Sequence, residues 1–138
     1  MAIPVPMQFG SKINDVSNKQ NRNWVLLWEN PDPSSSFASQ TVSLDLSDYD
    51  AVYVYAKYRA ANTNSCPTAL ALIGTGSQLF YLANLSAASS QANVRNYSVT
   101  STGVAFESTY RKTLTATSAG SVANDYIIPV AIYGVKFG

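Results

Sequence analysis

Three aspartates, Asp45, Asp48 and Asp50, come closest to a catalytic or metal-binding cluster in this sequence. Two facing carboxylates could hydrolyse a glycosidic bond, and several carboxylate and carbonyl oxygens could hold calcium. Their spacing is not that of an EF-hand loop. Asp48 and Asp50 also lie in a Ser-Asp-Tyr-Asp segment, whose side chains hydrogen bond locally in turns. We therefore predict no catalytic residue and no metal or other cofactor, with a loop calcium site as the remaining alternative.

The chain contains no histidine and a single cysteine, Cys66. Nucleophilic pairs of serine or cysteine with histidine are therefore impossible, and the usual zinc ligand sets are missing. Nine basic and eight acidic residues give a formal net charge of +1, so no field of one sign exists to attract nucleic acid. We expect a protein that is not an enzyme, does not bind nucleic acid, and works by binding or by assembly.

The most distinctive candidate surface lies on a strand predicted within residues 51–59. Period-2 alternation places Val52 and Val54 on the inner side of this strand. The outer side consists of Tyr53, Tyr55, Lys57 and Arg59. Exposed tyrosines offer apolar area with a polar tip, which suits a protein interface or the stacking of sugar rings. These four are our candidate partner- or glycan-binding residues, unless another part of the chain covers them.

Short apolar or alternating segments between turn residues, without a convincing helical period, must position this surface. Seven or eight such strands predict an all-β fold, a two-sheet antiparallel β-sandwich of jelly-roll-like type. Residues 40–59 are interpreted as one two-strand unit, and residues 68–73 and 78–85 as a hairpin. The residues expected to face the core are Val42, Leu44, Leu46, Val52 and Val54.

Three further residue-level expectations follow from pattern alone. Trp24 and Trp28 are four residues apart and are expected on one face of a strand that is buried on both sides or lies under the N-terminal arm. Pro129 cannot donate to a strand ladder, so the closing strand within residues 126–137 must be an edge strand or contain a bulge. Arg95 is interpreted as a solvated strand residue.

Residues 1–22 are predicted to form an extended N-terminal arm, and residues 23–138 the sandwich domain. The arm contains Pro4, Pro6 and a polar run, so it cannot bury much apolar surface by itself. It fits best as an extended arm over the domain or over a neighbouring subunit, and we expect it to pack on another subunit or virion protein. No signal peptide precedes it, and no apolar run approaches 18 residues. We therefore expect synthesis in the cytoplasm of the producing cell and no membrane insertion.

Two stretches resemble small structural proteins of tailed bacteriophages and prophages, particularly those of Gram-positive hosts. Residues 27–49, LWENPDPSSSFASQTVSLDLSDY, resemble a segment that recurs in such proteins, and residues 124–136, NDYIIPVAIYGVK, resemble their C-terminus. More loosely, the LDLSDYD run before an aromatic strand resembles carbohydrate-binding jelly rolls.

The phage resemblance implies a virion component, such as a fibre, tail-appendage or head-surface protein, commonly assembled as a trimer. It would contact other virion proteins and, in some positions, a glycan of the host cell surface. The alternative is a free-standing carbohydrate-binding module. A large multimer in solution distinguishes the first function from the second.

Overall fold

The computed structural model describes residues 23–68, 70–74, 76–84, 90–113 and 120–138, which form ten β-strands in two antiparallel sheets packed together. Sheet A contains β1 (Trp24–Glu29), β3 (Ala51–Arg59), β4 (Ser65–Cys66), β5 (Leu70–Leu72) and β10 (Tyr126–Val135). Sheet B contains β2 (Gln40–Ser43), β6 (Gly76–Asn84), β7 (Gln91–Thr100), β8 (Gly103–Thr113) and β9 (Ser121–Val122). The predicted all-β sandwich is confirmed, whereas the predicted arm, residues 1–22, lies outside the described residues.

The strand order combines long-range and local pairing. The strand order in sheet A is β1-β10-β3, and β4 and β5 each pair with a different part of the far edge of β3. The strand order in sheet B is β2-β8-β7-β6, and β9 also pairs with β8. β1 pairs with β10 and β2 pairs with β8, so strands that are distant in sequence are neighbours in both sheets. The consecutive strands β6, β7 and β8 form a meander.

Two predicted strand pairs are wrong, for the same physical reason. β2 and β3 lie in different sheets, so residues 40–59 are a crossover and not a two-strand unit. β5 and β6 also belong to different sheets, so the predicted hairpin between them does not form. Alternation shows which side of each strand is apolar. It does not show the sheet to which the strand belongs, because strands of either sheet bury their apolar side in the same core.

The predicted core residues lie where alternation placed them. Val42, Leu46, Val52 and Val54 are buried, and Leu44 is half-buried against the same cluster. From sheet B, the aromatic rings of Phe80, Tyr97 and Phe106 fill the opposite side, with the Phe80 and Tyr97 rings stacked at 4.6 Å between centroids. The core therefore forms one layer between the sheets, and the outer side of sheet A carries exposed residues such as Trp24 beside buried ones such as Ala51 and Val135.

A β-bulge in β1 separates the two tryptophans that the sequence placed together. The register with β10 shifts between Leu26 and Trp28, so one extra residue reverses the side on which the following residues point. Trp24 lies on the outer side of sheet A, whereas Trp28 points inward and meets Phe37 edge-on at 6.1 Å. β1 is also an edge strand of sheet A and largely exposed, so it is not buried on both sides. The predicted alternative, a strand under the N-terminal arm, involves residues outside the described part of the chain.

The closing strand β10 lies in the middle of sheet A, between β1 and β3. Its register with β3 shifts between Pro129 and Ala131, so of the two predicted solutions for Pro129 the bulge is confirmed. Near the start of β10, Ile127 has φ of 50°, a left-handed conformation that is rare for a β-branched residue. This strained backbone must be held by its surroundings.

Arg95 provides that restraint and is fully buried, which corrects its interpretation as a solvated residue. Its Nε donates to the carbonyl of Ile127 at 2.8 Å, and its Nη1 to the carbonyl of Glu107 at 2.6 Å. Its Nη2 donates to the carbonyls of Phe37 at 2.9 Å and Tyr126 at 3.3 Å. Desolvation lowers the pKa of Arg95 to about 10, so the guanidinium stays charged at neutral pH. One side chain thus ties a loop, β8 and β10 together.

Burial of Cys66 predicts a loss of stability in alkaline solution. Desolvation raises the pKa of its thiol from the ordinary 9.0 to about 11, so the folded state keeps a proton that the unfolded state releases above pH 9. This contribution is complete below pH 9 and is lost as the pH rises through 11. Burial also raises the pKa of Tyr97 to about 12, but that loss begins only above its ordinary value of 10.0.

We expect the wild-type protein to lose stability between pH 9 and 10, and a Cys66→Ala variant to lose less over the same interval. Urea unfolding at pH 7, 9 and 10 measures the difference. Arg95, whose lowered pKa acts with the opposite sign, contributes only above pH 10, outside this interval. If the free energy of unfolding changed equally with pH in the two proteins, the thiol would have the same pKa in the folded and the unfolded state.

Candidate functional site

The outer side of sheet A carries apolar side chains across its whole width. In one row, directly paired residues on β1, β10, β3 and β5 are Leu26, Tyr133, Tyr53 and Leu70. In the next row, the paired residues are Trp24, Val135, Ala51 and Leu72. Three strand spacings of about 4.8 Å make this surface roughly 15 Å wide. We call these eight residues, with Tyr55, the aromatic face.

Three rings form the centre of the aromatic face. The centroids of Trp24 and Tyr53 are 5.2 Å apart, and Tyr133 lies 6.3 Å from Trp24 and 6.4 Å from Tyr53. The ring planes are inclined by 52° to 56° to one another, which is a usual geometry for aromatic pairs. Trp24 remains 41% exposed. Each ring fixes its neighbours, so the face presents an ordered apolar surface to solvent.

The four candidate residues divide between two environments. Tyr53 and Tyr55 belong to the aromatic face, with Tyr53 half-buried by its neighbours and Tyr55 37% exposed. Lys57 is half-buried and lies opposite Ser65 on β4. Arg59 turns toward the end of the sandwich, where its Nε lies 3.6 Å from Asp125.

Arg59 already has partners within the chain. Besides the contact with Asp125, its guanidinium lies 5.1 Å from the centroid of the Tyr126 ring. Arg111 approaches the same ring at 4.3 Å and donates to the Tyr126 hydroxyl at 2.7 Å. Arg59 therefore contributes to the closure of the sandwich end, and the tyrosines are the stronger part of the predicted set.

Sequence reasoning missed most of the aromatic face. The sequence predicts Trp24 and Trp28 on one strand face, and it places Tyr133 only within the closing strand, without a role. One signal was available: residues 51–56 and 126–135 are almost continuously apolar, which is typical of strands covered on both sides. The pairing of β1 and β5 with these strands could not be read from that signal, because register depends on strands distant in sequence.

A second apolar row crosses the outer side of sheet B. Tyr81 on β6 pairs with Val94 on β7, Val94 with Tyr110 on β8, and Tyr110 with Val122 on β9. Tyr81, Tyr110 and Val122 are each more than half exposed, as is the nearby Leu79. Apolar rows on both outer surfaces distinguish this sandwich from one whose sheets alternate apolar inside and polar outside.

Hydrogen bonds within the chain account for two of the three aspartates. Asp45 accepts from the hydroxyl of Ser47 at 2.6 Å and from its amide at 3.1 Å, and these two bonds lower the pKa of Asp45. Asp50 accepts from the amide of Phe137 at 2.7 Å and so anchors the C-terminus. In the described part of the chain, no three acidic, cysteine or histidine residues come together as a metal site.

No protein-family model matches the chain, and no curated protein or solved structure is similar to it. Among the described residues, no helix has the length and apolar character needed to cross a membrane. The outer surfaces of the two sheets and the sequence resemblance are therefore the features from which a function can be proposed.

Proposed function

We propose that the protein is a non-enzymatic structural subunit that assembles with copies of itself, and that the aromatic face is a subunit interface. The observation that carries this proposal is the pair of apolar rows centred on Trp24, Tyr53 and Tyr133. Contiguous apolar patches on soluble proteins mark interaction sites, whereas single exposed apolar residues do not. The composition of the face, rich in tryptophan and tyrosine and without charge, is that of an interface centre.

A second copy of the chain suits the aromatic face better than a glycan does. The three central rings are inclined to one another, so they do not offer one flat platform for a sugar ring. Sugar sites also use converging polar groups to fix hydroxyls, and both described rows of this face are apolar apart from the tyrosine hydroxyls. An apolar surface of another subunit needs no such groups.

We further propose that the assembly is part of a tailed-phage virion, as a fibre, tail-appendage or head-surface component. The two stretches that resemble such proteins support this, because they are neighbours in the fold. Trp28 pairs with Ile132, and the amide of Asn30 donates to the carbonyl of Val130 at 2.8 Å. The two stretches are therefore joined where β1 pairs with β10 in sheet A. The resemblance favours a trimer, which requires a heterologous, ring-closing interface.

The double variant Tyr53→Ser, Tyr55→Ser tests the proposal. Loss of two partly exposed aromatic rings at an interface should raise the dissociation constant of the oligomer at least about tenfold, measured as mass by light scattering. Phe137→Ser is the matched control, since it removes an exposed ring outside the aromatic face and should leave the mass unchanged.

Binding to host cells is measured on the same variants. An intact oligomer that no longer binds host cells would identify the face as a glycan site and contradict the assembly proposal. No change in mass or in binding would show that the tyrosines serve only the packing of their own sheet.

A further inference from the structure

The edge strand β6 lacks the features that normally prevent edge strands from pairing. It is the last strand of sheet B in the described part of the chain, and its nine residues, Gly76–Asn84, pair with β7 without a register shift. Its sequence, GSQLFYLAN, contains no charged residue and no proline. Natural proteins protect edges with charges, prolines, bulges or short strands. A straight, uncharged edge of this length is a template for another strand.

The other edges of the sandwich are protected. Each of the edge strands β2, β4, β5 and β9 has four residues or fewer. β1 has six residues, but it contains the bulge after Leu26 and the charged Glu29. The contrast within one molecule indicates that the open edge of β6 is a specific feature and not a general property of the fold.

The side of β6 that faces away from β7 is bordered by open clefts. One, of about 280 Å³, lies between Leu82 and Ala83 on β6 and Tyr58 and Ser65 of sheet A. The next, of about 260 Å³, is lined by Pro67 and by β6 residues that include Phe80 and Tyr81. Sheet A therefore does not close over this flank of β6 from Leu79 to Ala83.

We infer that β6 pairs antiparallel with β6 of a second copy, with Tyr81 opposite Tyr81 of that copy. In this register, Leu79 lies opposite Ala83 and Phe80 opposite Leu82, so every pair within residues 79–83 is apolar. Centring the pair on Phe80 instead would place Leu82 opposite the polar Gln78. In a two-fold pair, a strand lies beside an identical strand, so a charged residue near the centre would lie close to the same charge on the second copy. Like charges opposite each other are destabilising. Because β6 has no charged residue, this repulsion does not arise.

The pairing would join two five-stranded sheets into one of ten strands. The apolar row that begins at Tyr81 would meet the same row of the second copy, so the two rows become continuous across the interface. This contact uses residues separate from the aromatic face. The β6 contact rests on the proposed self-assembly only because its partner is a second copy of the chain. It would give each subunit a two-fold contact in addition to the interface at the aromatic face.

Disulfide trapping tests the register. In a Cys66→Ala background, which removes the native buried thiol, a Tyr81→Cys chain should form a covalent dimer under mild oxidation, because directly opposite residues come within disulfide reach. Leu79→Cys alone should not dimerise, but should crosslink with Ala83→Cys chains. Phe137→Cys, exposed and outside both β6 and the aromatic face, is the control. A lack of dimer at Tyr81, or equal crosslinking at Phe137, would overturn the inference, and crosslinking of Leu79→Cys with Tyr81→Cys would overturn the register.

Two further measurements separate this interface from the aromatic face. Tyr81→Lys in the otherwise unchanged chain places a charge on the edge and should raise the dissociation constant of the β6 contact at least about tenfold. The Tyr81 crosslink should persist when Tyr53→Ser and Tyr55→Ser are also present. Loss of the crosslink in that background would show that the β6 contact is not independent.

Discussion

Replacing Arg95 with methionine is expected to lower the free energy of unfolding by about 3–5 kcal/mol. Methionine can fill much of the volume, but it donates no hydrogen bond. The carbonyls of Ile127, Glu107 and Phe37 would each lose the guanidinium, and each unsatisfied buried carbonyl costs about 1–3 kcal/mol. The Tyr126 carbonyl keeps the hydroxyl of Thr109 at 2.8 Å. Removal of a desolvated charge offsets part of the loss.

Urea unfolding of the variant measures this effect, with Lys112→Met as the control, since Lys112 is an exposed cation on the same sheet. Arg95→Lys should also be strongly destabilised, because an ammonium group cannot reach carbonyls on three separate elements. An unchanged unfolding midpoint for Arg95→Met would mean that the strained backbone at Ile127 does not depend on the guanidinium.

Replacing Trp24 with serine is expected to weaken self-association more than any other single change on the aromatic face. Trp24 lies on an edge strand and is 41% exposed, so roughly 100 Å² of its surface is available for burial by a partner. At about 25 cal/mol per Å² this contributes about 2.5 kcal/mol, or near sixtyfold in the dissociation constant. The change should have much less effect on folding, because Trp24 is outside the core.

Sedimentation velocity over a range of concentrations measures the association, and urea unfolding checks that the fold is intact. Phe137→Ser is again the control. If the variant unfolded at lower urea concentration but associated like the wild type, Trp24 would stabilise sheet A and would not be an interface residue. Weaker association at unchanged stability is the result expected for an interface residue.

The features that could be predicted from the sequence depend on local periodicity. Alternation along β3 correctly separated Val52 and Val54 from Tyr53 and Tyr55, because one residue pattern determines both sides of a strand. The sandwich followed from the number and spacing of such strands. The sheet to which each strand belongs did not follow, because β2 and β3 bury the same kind of side chain in the same core.

The features that could not be predicted arise from tertiary contacts. The bulge after Leu26 places the Trp28 side chain on the opposite side of the strand from that expected. No residue type in β1 predicts this bulge. Arg95 occupies a strand position where a charged side chain is ordinarily exposed. Its burial is possible only because four carbonyls from distant parts of the chain converge on it. The aromatic face likewise required the register of four strands.

The central claim is that this sandwich is a subunit whose outer apolar surfaces are covered by copies of itself. Sedimentation equilibrium of the full-length wild-type chain at micromolar concentrations tests it most directly. We expect a mass that is an integral multiple of 14.8 kDa: three copies if the aromatic face alone closes a trimer, and six if the β6 contact also joins two trimers. A mass of 14.8 kDa at every concentration would contradict it.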